Sequence, residues 1–204
     1  MMKKTLLILA AALSGVLAAG AQTGREWQDP AVNEINRLPM RSSFAAGERL
    51  SLDGVWKFHW VRNASERPSG IGAVDYDDAA WGSMPVPGMW ELNGYGDPVY
   101  VNIGYAWRGN FRNDPPYVPD AENHVGSYRR TFDIPASWGG KDIFLSIGSA
   151  TSNVYVWVNG RFVGYSEDSK LAAQFDITKF VKPGENLIAP VSYTHLRAHE
   201  TLRY

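Results

Sequence analysis

The chain has 204 residues, 45% of them hydrophobic and 20% charged, a composition that supports one globular domain with a core of its own. A formal charge of −1 leaves no electrostatic case for nucleic acid or an anionic membrane as partner. With no cysteine, disulfides, thiolate catalysis and cysteine-based zinc sites are excluded, and eight tryptophans point to a sandwich core or a carbohydrate platform.

At the N-terminus, Lys3 and Lys4 precede an uncharged apolar run over residues 5–19, and Ala19-Gly20-Ala21 follows. This order predicts a secretory signal peptide over residues 1–21, cleaved after Ala21, and export to the periplasm or beyond. The apolar run is too short to span a bilayer and has no stop-transfer flank, so no membrane anchor is expected. Residues 22–50 scatter Trp27, Pro30, Ile35, Leu38 and Pro39 among charges, which reads as an extended arm laid over a surface.

From Leu52 the texture turns to strand. In GVWKFHW, Trp56, Phe58 and Trp60 alternate with Lys57 and His59, so period 2 puts three aromatics on one face. Residues 62–78 are polar and turn-rich, and a short helical turn is expected over residues 79–81. The stretch from Pro85 to Pro119 then mixes proline and glycine with Trp90, Tyr95, Tyr100, Tyr105, Trp107, Phe111 and Tyr117. Fixed φ at proline and open φ at glycine exclude a regular element, and the aromatics argue against disorder. A long shaped loop with aromatic faces and amides suits a sugar, which offers an apolar face and a rim of hydroxyls. The plainer alternative is a loop that packs only on its own domain.

Beyond the loop, residues 128–134 are a strand candidate and residues 135–140 a corner. Residues 141–147 alternate Ile143, Leu145 and Ile147 against Phe144 and Ser146. Residues 153–158 (NVYVWV) run directly into Asn159-Gly160 and then RFVGYS, the strongest short-range hairpin signal because a type I′ turn needs φ > 0 at both positions. Residues 175–177 form a short strand, 182–186 a turn, and Leu187 begins another strand. Many short strands between close turns imply an all-β chain, an antiparallel sandwich or jelly roll.

Several stretches together carry a family resemblance: WQDPAVNEINRLP, SLDGVWKFHW, VPGMWELNGYGDPVYVNIGY, NDPPYVP, GSYRRTFDIP, VYVWVNGRFVGYSEDSKLAAQFDIT and GENLIA. They resemble the N-terminal part of the large bacterial β-galactosidases of glycoside hydrolase family 2. The resemblance implies a galactose-binding-like jelly-roll β-sandwich over residues 51–189, preceded by the extended arm. It also implies a parent enzyme that hydrolyses terminal non-reducing β-D-galactosides with retention, using two glutamates of a barrel that this chain does not contain. By the same resemblance Asn102, in the Tyr100-Val101-Asn102 motif, reaches into that barrel and hydrogen-bonds the galactose. Magnesium and sodium are implied for parts of the parent missing here, with no cofactor bound by the fragment itself. The remaining domains of the parent are the implied partners, and the arm (residues 25–45) implies a homo-oligomer. A free-standing carbohydrate-binding module, or a fragment of a β-glucuronidase or β-mannosidase, is the alternative.

After Ala189 the family pattern stops. Pro190 is disfavoured inside a central strand because it deletes a ladder donor, so residues 190–204 read as a foreign tail. The fragment, without the barrel that the resemblance implies, is expected to be inactive on its own. His195, His199 and Glu200 in that tail have a zinc-like spacing, but HLRAHE lacks a glutamate directly after the first histidine and a third ligand, so no metal is expected. Glu91, Asp97, Asp114 and Asp120 read as solvated carboxylates, and His124 as a packing or hydrogen-bonding residue. Asn63-Ala64-Ser65 matches a glycosylation acceptor by chance. Tyr155 and Trp157 read as packing residues rather than a sugar platform.

Overall fold

Nine strands form among the described residues, most of them short segments with alternating side chains. They are β1 (Glu34–Ile35), β2 (Gly54–Val61), β3 (Gly82–Val86), β4 (Val125–Ile134), β5 (Phe144–Ile147), β6 (Asn153–Val158), β7 (Arg161–Ser166), β8 (Ala173–Asp176) and β9 (Gly184–Tyr193). The computed structural model describes residues 24–40, 47–97 and 117–193. Among them, a seven-stranded sheet has the order β1-β7-β6-β9-β4-β2-β3, and β5 pairs with β8 in a second, two-stranded sheet. Every pairing is antiparallel.

The large sheet is covered on both faces. On one, Trp56, Phe132, Val154, Val156, Val158 and Ile188 pack against Leu145, Ala173 and Phe175 of the small sheet. On the other, Tyr155, Tyr165, Val191 and Tyr193 lie beneath Trp27 of the arm and beneath Ala64, Ile71 and Val118 of connecting segments. This is why β6 is apolar at nearly every position: one side of its alternation meets the small sheet, the other the arm. Tyr155 is fully buried and Trp157 stacks on it with centroids 5.9 Å apart, so this pair is packing, as the sequence indicated.

The hairpin β6–β7 turns at Asn159 and Gly160, with φ of 49° and 82°, both in the left-handed region that a type I′ turn requires. Asn159 does more than turn the chain. Its amide donates to the Phe180 carbonyl at 2.9 Å and to Asn186 Oδ1 at 2.8 Å, while its side-chain oxygen accepts from the Leu187 N–H at 2.9 Å, which fixes the start of β9.

Four local features differ from expectation. The arm is not wholly irregular: β1 adds an edge strand to β7, with Glu34 opposite Ser166 and Ile35 opposite Tyr165. Arg37 clamps it there, its side chain 11% exposed and ion-paired to both Glu34 and Asp168. No helical turn forms at residues 79–81; short 3-10 turns among the described residues fall at Glu26–Gln28, Ala64–Glu66, Glu91–Asn93 and Ala136–Trp138, the second capped reciprocally by Asn63 and Glu66. The same cap occupies the Asn63 amide, which donates to Glu66 at 2.7 Å. The sequence also hides β3, because Pro85 lies inside it; β3 is an edge strand, the place in a sheet where proline is tolerated.

The fourth difference corrects the reading of Pro190. β9 does not stop at Ala189 but continues through Pro190 to Tyr193, in the middle of the sheet. Its pairing with β6 is unbroken across Val156–Pro190, whereas its ladder with β4 omits the pairs opposite Ala189 and Pro190 and resumes at Ser127–Val191. The missing N–H is therefore accommodated as a short gap on the β4 side, between stretches of ladder in one register. Val191 and Tyr193 beyond it are core residues, 0% and 2% exposed. Residues 194–204, with His195, His199 and Glu200, lie outside the described residues.

Candidate functional site

The long loop leaves β3 and returns to β4, and its two ends can be built residue by residue. The outgoing end sits on an aromatic root formed by Phe58 and Trp60 of β2, Met84 of β3, Tyr128 of β4, and the loop's own Trp90 and Tyr95. The Trp90 indole donates to the Tyr128 hydroxyl. Phe58 takes the edge of Tyr95 at 4.7 Å between centroids and the tilted ring of Trp90 at 6.0 Å. Burial pushes the Tyr128 phenol up to about 12, the Trp90 hydrogen bond partly opposing the shift. It therefore stays a neutral hydroxyl at any physiological pH.

Two glycines make room for this root. A Cβ at Gly126 would lie 2.4 Å from Trp90 Cζ2 and 2.8 Å from Phe58 Cε2, and one at Gly82 would lie 2.6 Å from the Tyr95 hydroxyl. The aromatics thus press directly on strand backbone, which is how a proline- and glycine-rich segment acquires a fixed origin.

Charges and the arm hold the other points. Arg62, just past β2, lies 4.0 Å from Asp97 at the outgoing end and 3.2 Å from Glu122 at the returning end. His124 packs edge-on to Trp60 at 5.0 Å and approaches Glu122 at 3.5 Å through Nε2, the packing and hydrogen-bonding role expected of it. Burial alone would raise the Glu122 carboxyl, but hydrogen bonds from Arg62 and His124 outweigh it and hold it below the usual carboxylate value. Nearby, the Gln28 amide exchanges two hydrogen bonds with Val118, donating to its carbonyl at 2.7 Å and accepting from its N–H at 3.2 Å. Arm and loop return are therefore one bonded unit, a link the sequence pattern does not show.

Asn102, the residue singled out for sugar contact, lies outside the described residues, as do Tyr100, Tyr105, Trp107, Phe111 and Asp114. Among the described residues no group of three histidine, aspartate or glutamate side chains gathers to hold a metal ion. Glu91 and Asp97 are not core groups, and Asp120 faces Arg25 at 3.9 Å, so none of the three departs from its expected solvated setting.

Comparison with known proteins agrees with this architecture. Residues 50–198 match the family model described as glycosyl hydrolases family 2, sugar binding domain. A β-galactosidase of Halalkalibacterium halodurans is 39% identical over 179 residues, covering 81% of this chain and 18% of the relative. One from Priestia megaterium is 43% identical over 143 residues, covering 70% of this chain and 14% of the relative. The β-galactosidase large subunit of Leuconostoc lactis is 34% identical over 201 residues, covering 87% and 32%. The chain thus spans less than a third of any of these three relatives. Among solved structures, a Bacteroides uniformis β-glucuronidase superposes with TM-score 0.53 at 22% identity, covering 74% of this chain and 15% of its own, a likeness of fold. A Ruminococcus gnavus β-glucuronidase in complex with D-glucuronic acid gives TM-score 0.52 at 26% identity, covering 72% and 22%.

Proposed function

The chain belongs to glycosyl hydrolase family 2, whose sugar-binding domain it carries, and from that membership we propose that it forms the amino-terminal part of an exported β-galactosidase. The enzyme hydrolyses terminal non-reducing β-D-galactosides with retention. Retaining hydrolysis needs two carboxylates about 5–5.5 Å apart on either side of the glycosidic bond. In this reading they come from the remainder of the enzyme, and the 204-residue chain alone is inactive. Its own contribution is the loop, launched from the aromatic root and tied back by Arg62 and Gln28. That loop carries Asn102 to the sugar, where an uncharged amide can donate to one hydroxyl and accept from another. Magnesium and sodium belong, in the same reading, to other parts of the enzyme, and no step here passes through them. The arm contributes to a homo-oligomer, and residues 1–21 direct export, so the mature protein begins at Gln22.

The observation that carries this reading is identity of 39% and 43% to proteins named β-galactosidase, extending over 81% and 70% of the chain. The β-glucuronidase structures favour a second reading, a glucuronidase parent, through the fold they share with this chain. One assay separates the two. The chain alone and the chain joined to its barrel-bearing remainder are offered nitrophenyl β-D-galactoside and nitrophenyl β-D-glucuronide. Turnover of the galactoside by the joined enzyme only is expected, and Asn102→Ala should then lower kcat/KM about 10- to 100-fold, roughly 1.4–2.8 kcal/mol of transition-state binding. Turnover by the 204-residue chain alone, preference for the glucuronide, or unchanged kinetics in Asn102→Ala would each count against the corresponding part of the reading.

A further inference from the structure

The sheet face that carries the arm holds a second feature, on the side opposite the loop's aromatic root. Arg67 lies above the rings of Tyr155 and Tyr193, its guanidinium carbon 5.9 Å and 6.0 Å from their centroids. Its Nη1 is buried and meets no hydrogen-bond acceptor among the described residues, and none of their carboxylates pairs with it. A half-buried guanidinium keeps its charge, so an unmet N–H there is a standing cost that an acceptor would relieve. Beside it opens a cavity of about 260 Å³ lined by Gly24, Arg67, Pro68, Ser69, Gly70, Ile71, Gly72 and Trp157.

The wall of this cavity is kept bare. A Cβ at Gly24 would stand 3.2 Å from Arg67 Nη2, and one at Gly72 would stand 2.7 Å from the Trp157 ring. Gly70, with φ of +73°, turns the segment without a side chain. The result is a small recess with a cation, a hydroxyl at Ser69, accessible backbone and part of an indole ring; none of its lining residues is acidic, and the nearby Glu26 carboxylate accepts from the Gly24 N–H at 3.3 Å and is itself buried. Its volume falls below the roughly 300–1,000 Å³ of pockets for larger ligands, so it suits one sugar ring or a small acid.

We propose that this recess is a subsite for an acidic saccharide, in which Arg67 receives a carboxylate or sulfate and Ser69 and the glycine backbone meet the sugar hydroxyls. The planar guanidinium matches a two-oxygen acid group with paired N–H donors, a geometry lysine cannot reproduce. Trp157 and Gly72 shape the floor. The subsite would favour acid-bearing glycans as ligands, and it stands independently of hydrolysis because binding is read without turnover.

Calorimetric titration of the 204-residue chain at low salt tests it, with D-galacturonate, D-galactose 6-sulfate, D-galactose, acetate and sulfate as separate probes. Binding of at least one acidic sugar is expected, tighter by about tenfold or more than that of D-galactose and of the free anions, and weakened by salt. The two acidic sugars distinguish a carboxylate site from a sulfate site. Arg67→Gln should abolish the preference, and Arg67→Lys should restore only part of it. Equal binding of neutral and acidic sugars, equal binding of acetate or sulfate and the acidic sugars, no binding of any acidic sugar, or an unchanged preference in a folded Arg67→Gln would overturn the proposal. Should Arg67→Gln fail to fold, the probe ranking and salt dependence of the unaltered chain decide the matter alone.

Discussion

Gly126 shows how much of the loop's anchoring rests on one missing side chain. The Trp90 ring occupies the space above its Cα, and a methyl there would sit 2.4 Å from the ring. Gly126→Ala must displace Trp90, and with it the hydrogen bond to Tyr128. Overpacking of this kind costs about 1–3 kcal/mol, so a lower melting temperature is expected, with a change in tryptophan emission as the root loosens. Thermal unfolding followed by fluorescence checks both; an unchanged melting temperature would show that the root yields easily. The sequence displays Gly126 as an ordinary strand glycine, since the ring that forbids its substitution arrives from far earlier in the chain. Asn159 is the opposite case. Its turn was legible from Asn-Gly between alternating runs, although its three hydrogen bonds to Phe180, Asn186 and Leu187 were not.

Among elements, those with strict alternation or an explicit turn were readable: β2, β5 and the β6–β7 hairpin follow local rules. Those that break a local rule were not. β3 contains Pro85 and β9 contains Pro190, and only the sheet order shows why each is tolerated, the first at an edge and the second opposite a gap in one ladder. β1 is too short to have a pattern; it exists because β7 offers an edge and Arg37 locks the pair. The loop return is held by a similar non-local device, the Gln28–Val118 pair. Gln28→Ala removes both bonds, worth about 1–3 kcal/mol together. Hydrogen exchange should then quicken at residues 117–119 while the β6–β7 hairpin keeps its protection. Unaltered exchange at Val118 would mean that the arm does not restrain the loop.

At the scale of the whole molecule, the arm closes one face of the sheet over a group of buried polar residues. Glu167, 7% exposed, accepts a hydrogen bond from Tyr165. Burial raises its carboxyl from 4.5 to about 7, with Tyr165 opposing the shift and Asp168 and Asp29 adding to it. Between these two values the folded chain keeps a proton that the unfolded chain has lost, so stability falls as pH rises from 4.5 to about 7. The effect is on the order of 3 kcal/mol. Glu167→Gln imitates the protonated acid and should flatten this slope, leaving the variant the more stable of the two at pH near 8. Melting temperatures across the range, in buffer free of divalent cations, decide it; parallel slopes for the two proteins would remove Glu167 as the cause. The all-β class and the covering arm were visible in the sequence. What lies beneath the arm was not, because its members come from segments far apart in the chain.

The sheet order has one more consequence, for the way the protein is made. β9 lies between β4 and β6 and is the last strand in the described sequence, so it joins a half built from β2, β3 and β4 to a half built around the β6–β7 hairpin. During synthesis both halves emerge from the ribosome first, each with an open strand edge and nothing to pair with it. Until residues 184–193 clear the exit tunnel the nascent chain carries two sticky margins, the condition in which strands capture the wrong neighbour. The closing step is non-local on both sides and therefore slow. The nascent chain's exposure to misassembly is thus set by the position of β9, the last strand among the described residues.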